Sequence, residues 1–305
     1  MLSVVIPVFN EEETLNIAAD KVKTVLKNAD IDFEIFFIDD GSTDRSWRII
    51  SELHAADRRI KGIRFSRNFG KDAAIFAGLK ACGGDCVAVM DCDLQHPPEK
   101  LPEMYGLWQQ GFEVVEGIKN YRGKEPLIHR GLVNLFYKLL SKCTKMNMKN
   151  ASDYKLLDRK VVNALIKMPE HRMFFRTLSS WVGYKSTSVT YDVARRAGGK
   201  TKWSKKDLFG YAVTSITSFT ANPMQFVTWC GTLVFIISIF IGVWALVDKI
   251  SGRAIEGMTT VIFLLLFIGS IIMLTLGIIG HYIARIYEEV QARPRYIIDE
   301  YLDEE

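Results

Sequence analysis

The segment 91–99, Asp-Cys-Asp-Leu-Gln-His-Pro-Pro-Glu, combines more groups able to do chemistry than its neighbours. Asp91 and Asp93 stand one residue apart, directly after an apolar run at 86–90 that is typical of a buried strand. Two carboxylates delivered into a short loop offer the oxygen ligands that Mg²⁺ or Mn²⁺ binds while it keeps positions open for substrate phosphates. The alternative is an acidic turn after a strand, because Asp and Pro are common turn formers. The pair alone does not decide between a metal site and a turn.

Strand-like and helix-like patterns alternate through the first 120 residues and indicate how the acids are positioned. The patterns predict strands at 2–7, 33–38, 61–65 and 85–90, with helices at 11–29, 45–56 and 71–81 between them. Such spacing predicts βαβ units and a largely parallel sheet, which is an α/β fold. Ligands in these sheets bind at the carboxyl ends of the strands. That rule places 7–11, 39–40 and 91–93 along one rim and favours a ligand site.

The other polar clusters on this rim also have plain structural explanations. Residues 7–12, Pro-Val-Phe-Asn-Glu-Glu, could form a helix N-terminus with acids favourably placed at its dipole. The acids and small residues of 39–44 could form an ordinary turn. A carboxylate at a strand end can, however, accept from the N–H of a nucleobase or from ribose hydroxyls. Lys71 adds a cation on the same rim that could reach a diphosphate.

The composition, 49% hydrophobic and 24% charged, hides a division of the chain into two parts. Residues 208–247 and 257–284 contain no Asp, Glu, Lys or Arg, and both runs exceed the ~20 residues that cross a bilayer core. We therefore predict two transmembrane helices, at about 226–247 and 259–283, joined as an antiparallel hairpin. An amphipathic, Ser/Thr-rich segment at 206–223 before them is interpreted as interfacial.

The predicted organisation is an enzyme domain at 1–205, a membrane hairpin within 224–284 and a tail at 285–305. The apolar start at 2–6 is only as long as a strand, so no signal peptide is predicted. Lys and Arg on both flanks of the hairpin place these flanks in the cytoplasm. We therefore expect a multi-pass protein of the inner or plasma membrane with a cytoplasmic catalytic domain. The net charge of +4 gives no indication of nucleic-acid binding, and five scattered cysteines fit a reducing compartment.

The motifs occur in the order found in family 2 glycosyltransferases, which this sequence resembles over nearly its whole length. The resemblance is carried by Val5–Glu12, Ile38–Asp44, Arg67–Lys71, Asp91–Glu99, Phe174–Arg176, Trp181–Tyr184, Arg195–Trp203 and the paired apolar segments. It looks closest to the polyprenyl-phosphate branch, which includes bactoprenol glucosyltransferases and dolichyl-phosphate mannose synthase. Two positions depart from the family pattern. Phe9 replaces the usual Tyr, which keeps the ring and loses a hydroxyl, and Cys92 replaces the usual Ala.

The resemblance implies a GT-A type domain that binds a nucleotide-diphospho-sugar. The residues it assigns to the nucleotide sugar are Pro7, Phe9, Glu11, Asp40, Lys71 and Asp91. Asp91, Asp93 and Gln95 would surround Mg²⁺ or Mn²⁺, which would stabilise the departing nucleoside diphosphate as a Lewis acid. Asp93 and Asp153 would be catalytic, the latter as a base or as an acid that positions the acceptor. The alternative for Asp153 is a helix N-cap.

The implied acceptor is a polyprenyl phosphate, an anion anchored in a membrane by its tail. Its phosphate oxygen is already a nucleophile near neutral pH, so the site mainly needs cations that hold two anionic substrates together. The candidates are Arg122, Arg130, Arg195, Lys200 and Lys202. Attraction to anionic headgroups, worth about 1 kcal/mol per residue near the surface, is the alternative explanation of these charges.

We therefore expect a metal-dependent inverting transfer of a hexose, from UDP-glucose, to undecaprenyl phosphate on the cytoplasmic leaflet, for modification of envelope glycans. A processive polysaccharide synthase is disfavoured because the chain lacks a Gln-x-x-Arg-Trp motif and further spans. A non-catalytic nucleotide-sugar-binding scaffold is disfavoured by the intact acid pair with Gln95. Neither the sugar nor the oligomeric state can be deduced from the residues. Small residues at 269, 277 and 280 permit close helix packing, and the resemblance suggests a homo-oligomer such as a tetramer.

Overall fold

The computed structural model describes residues 1–120, 152–168, 174–192 and 258–303, with isolated positions between 232 and 251. The chain divides into two compact units. The first unit comprises Met1–Leu208 together with Pro294–Glu305, and the second comprises Phe209–Arg293. The last residues of the chain therefore belong to the unit that also holds its beginning.

The first unit contains an α/β arrangement, and the second contributes a long helix. Strands β1 to β8 span Leu2–Val8, Phe33–Asp39, Ile60–Phe65, Cys86–Val89, Val114–Lys119, Lys155–Asp158, Ser186–Tyr191 and Ile298–Leu302. Helices α1 to α7 span Leu15–Asn28, Ser46–Ala56, Lys71–Ala81, Leu101–Gln109, Arg159–Ile166, Phe175–Trp181 and Met258–Gln291. The four strands and three helices predicted in the first 120 residues are confirmed. Helix α1 begins at Leu15 rather than Glu11; the N–H groups of Glu11 and Glu12 donate to Ser46, the first residue of α2, and to Asp44 before it.

The strands form one sheet with the order β7-β5-β6-β4-β1-β2-β3-β8. Strands β4, β1, β2 and β3 run parallel, whereas β6 and β8 run antiparallel to their neighbours. The central strands are buried along nearly their whole length, which explains why their sequences are continuous apolar runs rather than alternating ones. The loops after β1, β2, β3 and β4 consequently lie at one edge of the sheet, as the sequence predicted.

In the second unit, residues Phe267–Gln291 of α7 form a segment that is, by length and composition, apolar enough to cross a membrane. Helix α7 continues to Gln291, past residue 285, the predicted start of the tail. The predicted first span at 226–247 (apart from isolated positions) and the interfacial segment at 206–223 lie outside the described residues, so the hairpin stays a prediction.

Hydrogen bonds join the loops at the carboxyl edge of the sheet to one another. The N–H of Asn10 donates to Ser42 Oγ, and the N–H of Thr43 donates to Asn10 Oδ1, both at 2.9 Å. These reciprocal bonds connect the loops after β1 and β2. Asn10 adopts a left-handed backbone conformation, with φ of 54°, that Asn tolerates better than most residues. The two loops therefore support each other's shape.

Gly41 allows the loop after β2 to touch the loop after β3. It has a φ of +68°, and a Cβ at this position would lie 2.4 Å from the carbonyl carbon of Arg67. Only a residue without a side chain permits both the backbone conformation and this close approach.

Replacement of Gly41 by Ala should therefore destabilise the first unit by about 3 kcal/mol, from left-handed strain plus the collision with backbone. Gly111→Ala is a matched control. Gly111 also has a positive φ, of +89°, but its added Cβ would meet nothing within 4 Å. That variant should lose only about 1 kcal/mol. Chemical unfolding of the full-length chain measures both, and equal losses would contradict the close-approach explanation.

Lys155 is a fully buried lysine that ties β6 to its surroundings. Its ammonium lies 3.1 Å from the carboxylate of Glu116 on β5. It also donates to Ser180 Oγ at 2.9 Å and to the backbone carbonyl of Arg176 at 3.3 Å, both on α6. Burial lowers the pKa of Lys155, and the charge of Glu116 counteracts that effect. The hydrogen bonds from Lys155 thus fix α6 against the sheet.

Lys155→Met should cost about 3–5 kcal/mol of unfolding free energy, because it leaves the Glu116 carboxylate without its charge partner in a largely buried place. Lys160→Met is the control. Lys160 pairs with Glu113 on the surface, where an ion pair contributes little. Its loss should leave the unfolding curve unchanged. Similar destabilisation by both variants would argue against a special role of the buried pair.

Candidate active site

The loop at 91–99, here called the acid loop, has a defined backbone shape. Asp93 Oδ1 accepts the N–H of Gln95 at 3.1 Å, which closes a short Asx turn. Leu94 between them has a φ of 59° and is 4% exposed. A bulky residue in this left-handed region is strained, and such strain is found mainly at functional sites. Burial of the Leu94 side chain in the core offsets the strain.

His96 fastens the beginning of the acid loop. Its Nδ1 accepts the N–H of Asp91 at 3.1 Å, so the proton of the neutral ring resides on Nε2. Burial lowers the pKa of His96, which favours this neutral form. The ring stacks on Tyr154, with centroids 5.0 Å apart, and the Tyr154 hydroxyl donates to the carbonyl of Pro97 at 2.8 Å. His96 thus supports Asp91 through its backbone.

Lys71 brings two of the predicted acids together. Its ammonium lies 2.5 Å from Asp91 Oδ1 and 3.0 Å from Asp153 Oδ2. Arg176 approaches Asp153 from α6 with two parallel contacts, at 3.1 Å from Nε and 2.9 Å from a terminal nitrogen. This fork is the geometry in which Arg binds a carboxylate most strongly. One charge cluster therefore forms at the point where four regions meet. Its members are Lys71 at the start of α3, Asp91 in the acid loop, Asp153 just before β6 and Arg176 on α6.

The charge cluster keeps its acids ionised. Burial acts to raise the pKa of Asp153, which is 13% exposed, but the charges of Lys71 and Arg176 outweigh it and hold that pKa far below its usual range. Burial likewise acts to raise the pKa of Asp91, and Lys71 again more than compensates. Burial opposes the charge of Lys71, yet its two carboxylate partners raise the pKa of the ammonium. At neutral pH the cluster contains two anions and two cations.

The residues predicted for the nucleoside lie at the ends of adjacent strands or in the loops that follow them. Val8 and Asp39 are partners in the parallel register of β1 and β2, so Phe9 and Asp40 both follow paired strand ends. Glu11 is reached within the same loop as Phe9, and its carboxylate accepts from Thr14 Oγ1 at 2.9 Å. Pro7 lies in β1 itself. The sequence prediction that these positions share one rim is consistent with this placement.

Asp40 is buried and accepts two backbone hydrogen bonds. The N–H groups of Phe69 and Gly70 donate to its carboxylate at 2.6 Å and 2.9 Å. Burial raises the pKa of Asp40 to about 6, although these two bonds favour its charged form. A buried carboxylate of this kind is sensitive to its hydrogen-bond donors, which belong to the loop after β3.

The oxygen donors of the acid loop fit a divalent metal ion that binds together with phosphates. Within the described part of the chain, no three His, Cys, Asp or Glu side chains gather into a ready metal site. Mg²⁺, however, is commonly held by one or two carboxylates, with substrate phosphates and waters completing its shell. Asp91 and Asp93, with the amide oxygen of Gln95, stay the predicted set, and Asp91 Oδ1 pairs with the ammonium of Lys71.

The five cations predicted to bind the acceptor phosphate lie outside the described residues and stay predictions; they are Arg122, Arg130, Arg195, Lys200 and Lys202. The described residues place Lys71 and Arg176 at the acids instead. The sequence reasoning assigned no role to Arg176, although it belongs to the Phe-Phe-Arg motif that contributed to the resemblance. Asp72, which accepts the N–H of Phe175 at 2.9 Å, was also missed. Neither pairing has a local sequence signal.

Relatives match this chain along nearly its full length. A prophage bactoprenol glucosyl transferase homolog from Escherichia coli is 37% identical over 97% of this chain and 98% of its own length. The bactoprenol glucosyl transferase of Shigella phage SfII is 36% identical, over 97% of each chain. A putative glycosyltransferase, CsbB, from Bacillus subtilis is 37% identical over 98% of this chain and 92% of its own.

A solved structure supports the fold independently. The crystal structure of glucosyl-3-phosphoglycerate synthase from Mycobacterium tuberculosis in complex with UDP is 21% identical, with a TM-score of 0.50. The match covers 72% of this chain and 79% of that chain, and it shows a GT-A-like α/β fold. The sequence model described as "Glycosyl transferase family 2" matches residues 3–169. The chain therefore belongs to glycosyl transferase family 2 and is a glycosyltransferase.

Proposed function

We propose that this glycosyltransferase transfers a hexose from a nucleotide-diphospho-sugar, with UDP-glucose as the first candidate, to a polyprenyl phosphate. The observation that carries the proposal is the cluster of Lys71, Asp91, Asp153 and Arg176 at the carboxyl edge of the sheet. It places two cations beside the acid loop, where two anionic substrates would have to meet. Two relatives that match nearly the whole chain are named bactoprenol glucosyl transferases, which supports a lipid phosphate as the acceptor.

In this proposal the acid loop holds the diphosphate end of the donor. Asp91, Asp93 and Gln95 would bind Mg²⁺ or Mn²⁺, which supplies Lewis-acid stabilisation of the leaving nucleoside diphosphate when bound. Of the two metal-binding acids, we expect Asp93 to contribute more to catalysis, because Asp91 also pairs with Lys71. Lys71 can contact the diphosphate with its ammonium, as the sequence predicted.

Asp153 serves in this scheme as a positioning residue. A general base must take up a proton near neutral pH, but Lys71 and Arg176 hold the pKa of Asp153 far below that range. The acceptor phosphate does not require deprotonation, because one of its oxygens is already anionic. Asp153 instead orients an ammonium and a guanidinium. These groups then reduce the repulsion between acceptor and donor phosphates.

The nucleoside end of the donor would bind along the loops after β1 and β2. We assign base recognition to Asp40, with Phe9, Pro7 and Glu11 completing the site. The carboxylate of Asp40 can accept from a base N–H only while it is ionised. The bonds from the loop after β3 favour that ionised form.

A polyprenyl acceptor requires that the enzyme work at a membrane surface. The apolar segment Phe267–Gln291 supports membrane attachment, and the charge-free run at 208–247 supports the proposed second span. We further propose the inner or plasma membrane as location, with the catalytic unit on the cytoplasmic side, and assembly into a homo-oligomer. No nucleic-acid partner is proposed.

Asp93→Asn should reduce transfer about 100-fold or more, because the Lewis acid contributes several kcal/mol to the reaction. The assay is release of UDP from UDP-glucose by the purified chain with undecaprenyl phosphate and Mg²⁺ or Mn²⁺. Glu103→Gln is the control and should retain wild-type rates, since Glu103 is an exposed residue of α4 that pairs with Lys100. Full activity of Asp93→Asn would contradict the metal site. A wild-type chain that binds UDP-glucose without transfer to any lipid phosphate would contradict the acceptor.

The raised pKa of Asp40 predicts that nucleotide-sugar binding depends on pH. Above about 6 the folded protein carries the ionised carboxylate, and below it the carboxyl is protonated and loses acceptor capacity. We expect the affinity for UDP-glucose to fall with a midpoint near this pKa as the pH is lowered. The donor diphosphate does not change its own charge in this range, so titration calorimetry reports the protein.

Two variants separate Asp40 from Asp72, another acid among the described residues whose pKa is raised to about 6. Asp40→Asn should bind weakly and without the pH midpoint. Asp72, whose pKa burial also raises to about 6, lies beside the charge cluster, and Asp72→Asn should keep the midpoint. An unchanged pH profile in Asp40→Asn would rule out the assignment.

A further inference from the structure

The tail strand β8 lies along β3, whose following loop supplies the N–H donors to Asp40. Strand β8 pairs antiparallel with β3, with a register shift near the end of β3. Beyond this shift the N–H of Ser66 donates to the carbonyl of Ile297 at 3.0 Å. At its start the tail is also fixed by Arg295, whose guanidinium donates to the carbonyl of Met168 at 2.8 Å. The tail therefore contacts the loop at 66–70 where that loop begins.

Three aromatic rings connect the tail to Asp40. Tyr296 stacks on Phe65, with centroids 4.9 Å apart and planes inclined by 11°. Phe65 meets Phe69 edge to face at 5.8 Å. The N–H of Phe69 makes the short 2.6 Å bond to the Asp40 carboxylate. Phe65, the middle ring, is 1% exposed, and Tyr296 and Phe69 on either side of it are partly buried.

An ion-pair chain connects the tail to the neighbouring acid. Arg64 donates to Glu300 of β8 at 2.8 Å, and its Nε lies 3.7 Å from Asp39 Oδ2. Asp39 is fully buried, and this oxygen accepts no hydrogen bond from the described residues. Arg64 is therefore the cation that compensates its charge, and Glu300 sets where the guanidinium lies.

We propose that the tail is a working part of the nucleotide site, in which Tyr296 and Glu300 position the loop at 66–70 and the acids Asp39 and Asp40. The inference rests on the proposed role of Asp40 in binding the nucleoside. Tyr296 is a positioning residue, since it acts through Phe65 and Phe69 and not on the substrate. The segment that follows helix α7 in the chain thus contributes to donor binding at the opposite end of the sequence.

The test compares UDP binding by the full-length chain in detergent with its steady-state kinetics. Tyr296→Ala should weaken UDP about three- to tenfold, the factor that corresponds to one aromatic pair, and raise KM for UDP-glucose alike. The kcat at saturating donor should stay at the wild-type value. Tyr296→Phe retains the ring and should restore wild-type binding. Tyr296→Leu keeps most of the apolar volume and should bind UDP with intermediate affinity, which covers the case that the Ala variant does not fold.

Tyr301→Ala is the matched control. Tyr301 belongs to the same strand, is 46% exposed, and hydrogen-bonds Asp303 rather than the loop at 66–70. It should bind UDP like the wild type. Equal UDP dissociation constants for Tyr296→Leu and Tyr301→Ala would overturn this inference and leave the proposed function intact. A wild-type chain that binds neither UDP nor any UDP-sugar would overturn the proposed function, and this inference with it.

Discussion

The rest of the site depends on the carboxylate of Asp153, which pairs with both Lys71 and Arg176. Without this carboxylate, an ammonium and a guanidinium would face each other in a half-buried place at a cost of several kcal/mol. These two pairings of Asp153 also join three regions that are far apart in the sequence. Asp153 and Lys155 both bond to Arg176 of α6, whereas Tyr154 between them stacks on His96. One short segment therefore supports the charge cluster on one side and the acid loop on the other, through the stack of Tyr154 on His96.

Contacts within the protein fix the position and charge of Asp91. Its backbone N–H donates to His96 Nδ1 and its carboxylate pairs with Lys71. In the proposed function a divalent ion would share Asp91 with Lys71, which would leave the ammonium available to phosphate oxygens. In that scheme the cations, which pair with protein carboxylates in the structure, would also compensate the charge of substrate phosphates.

Much of the fold and of the candidate site could be predicted from the sequence, and the parts that could not be predicted have physical causes. Strands β1 to β4 were predictable because burial on both faces requires continuous apolar runs, and the shared rim follows from their parallel order. Strand β8 was not, since Ile-Asp-Glu-Tyr-Leu is short, mostly exposed and carries no apolar periodicity. The role of Arg176 depends on the antiparallel entry of β6 beside β4, which no local pattern reports. His96 could be interpreted as a loop residue, but its bond to Asp91 required the backbone course set by Leu94.

The buried Lys155 shows that this part of the molecule is built for position rather than for stability alone. Replacement of a whole buried ion pair by well-packed apolar residues is often neutral or stabilising, so stability does not by itself explain a lysine in the core. What an apolar side chain could not do is bond the carbonyl of Arg176 and the hydroxyl of Ser180 while it pairs with Glu116. Those bonds hold helix α6 in position near both of its ends. They thereby determine where the guanidinium of Arg176 meets Asp153, and a fork with two parallel hydrogen bonds tolerates little displacement.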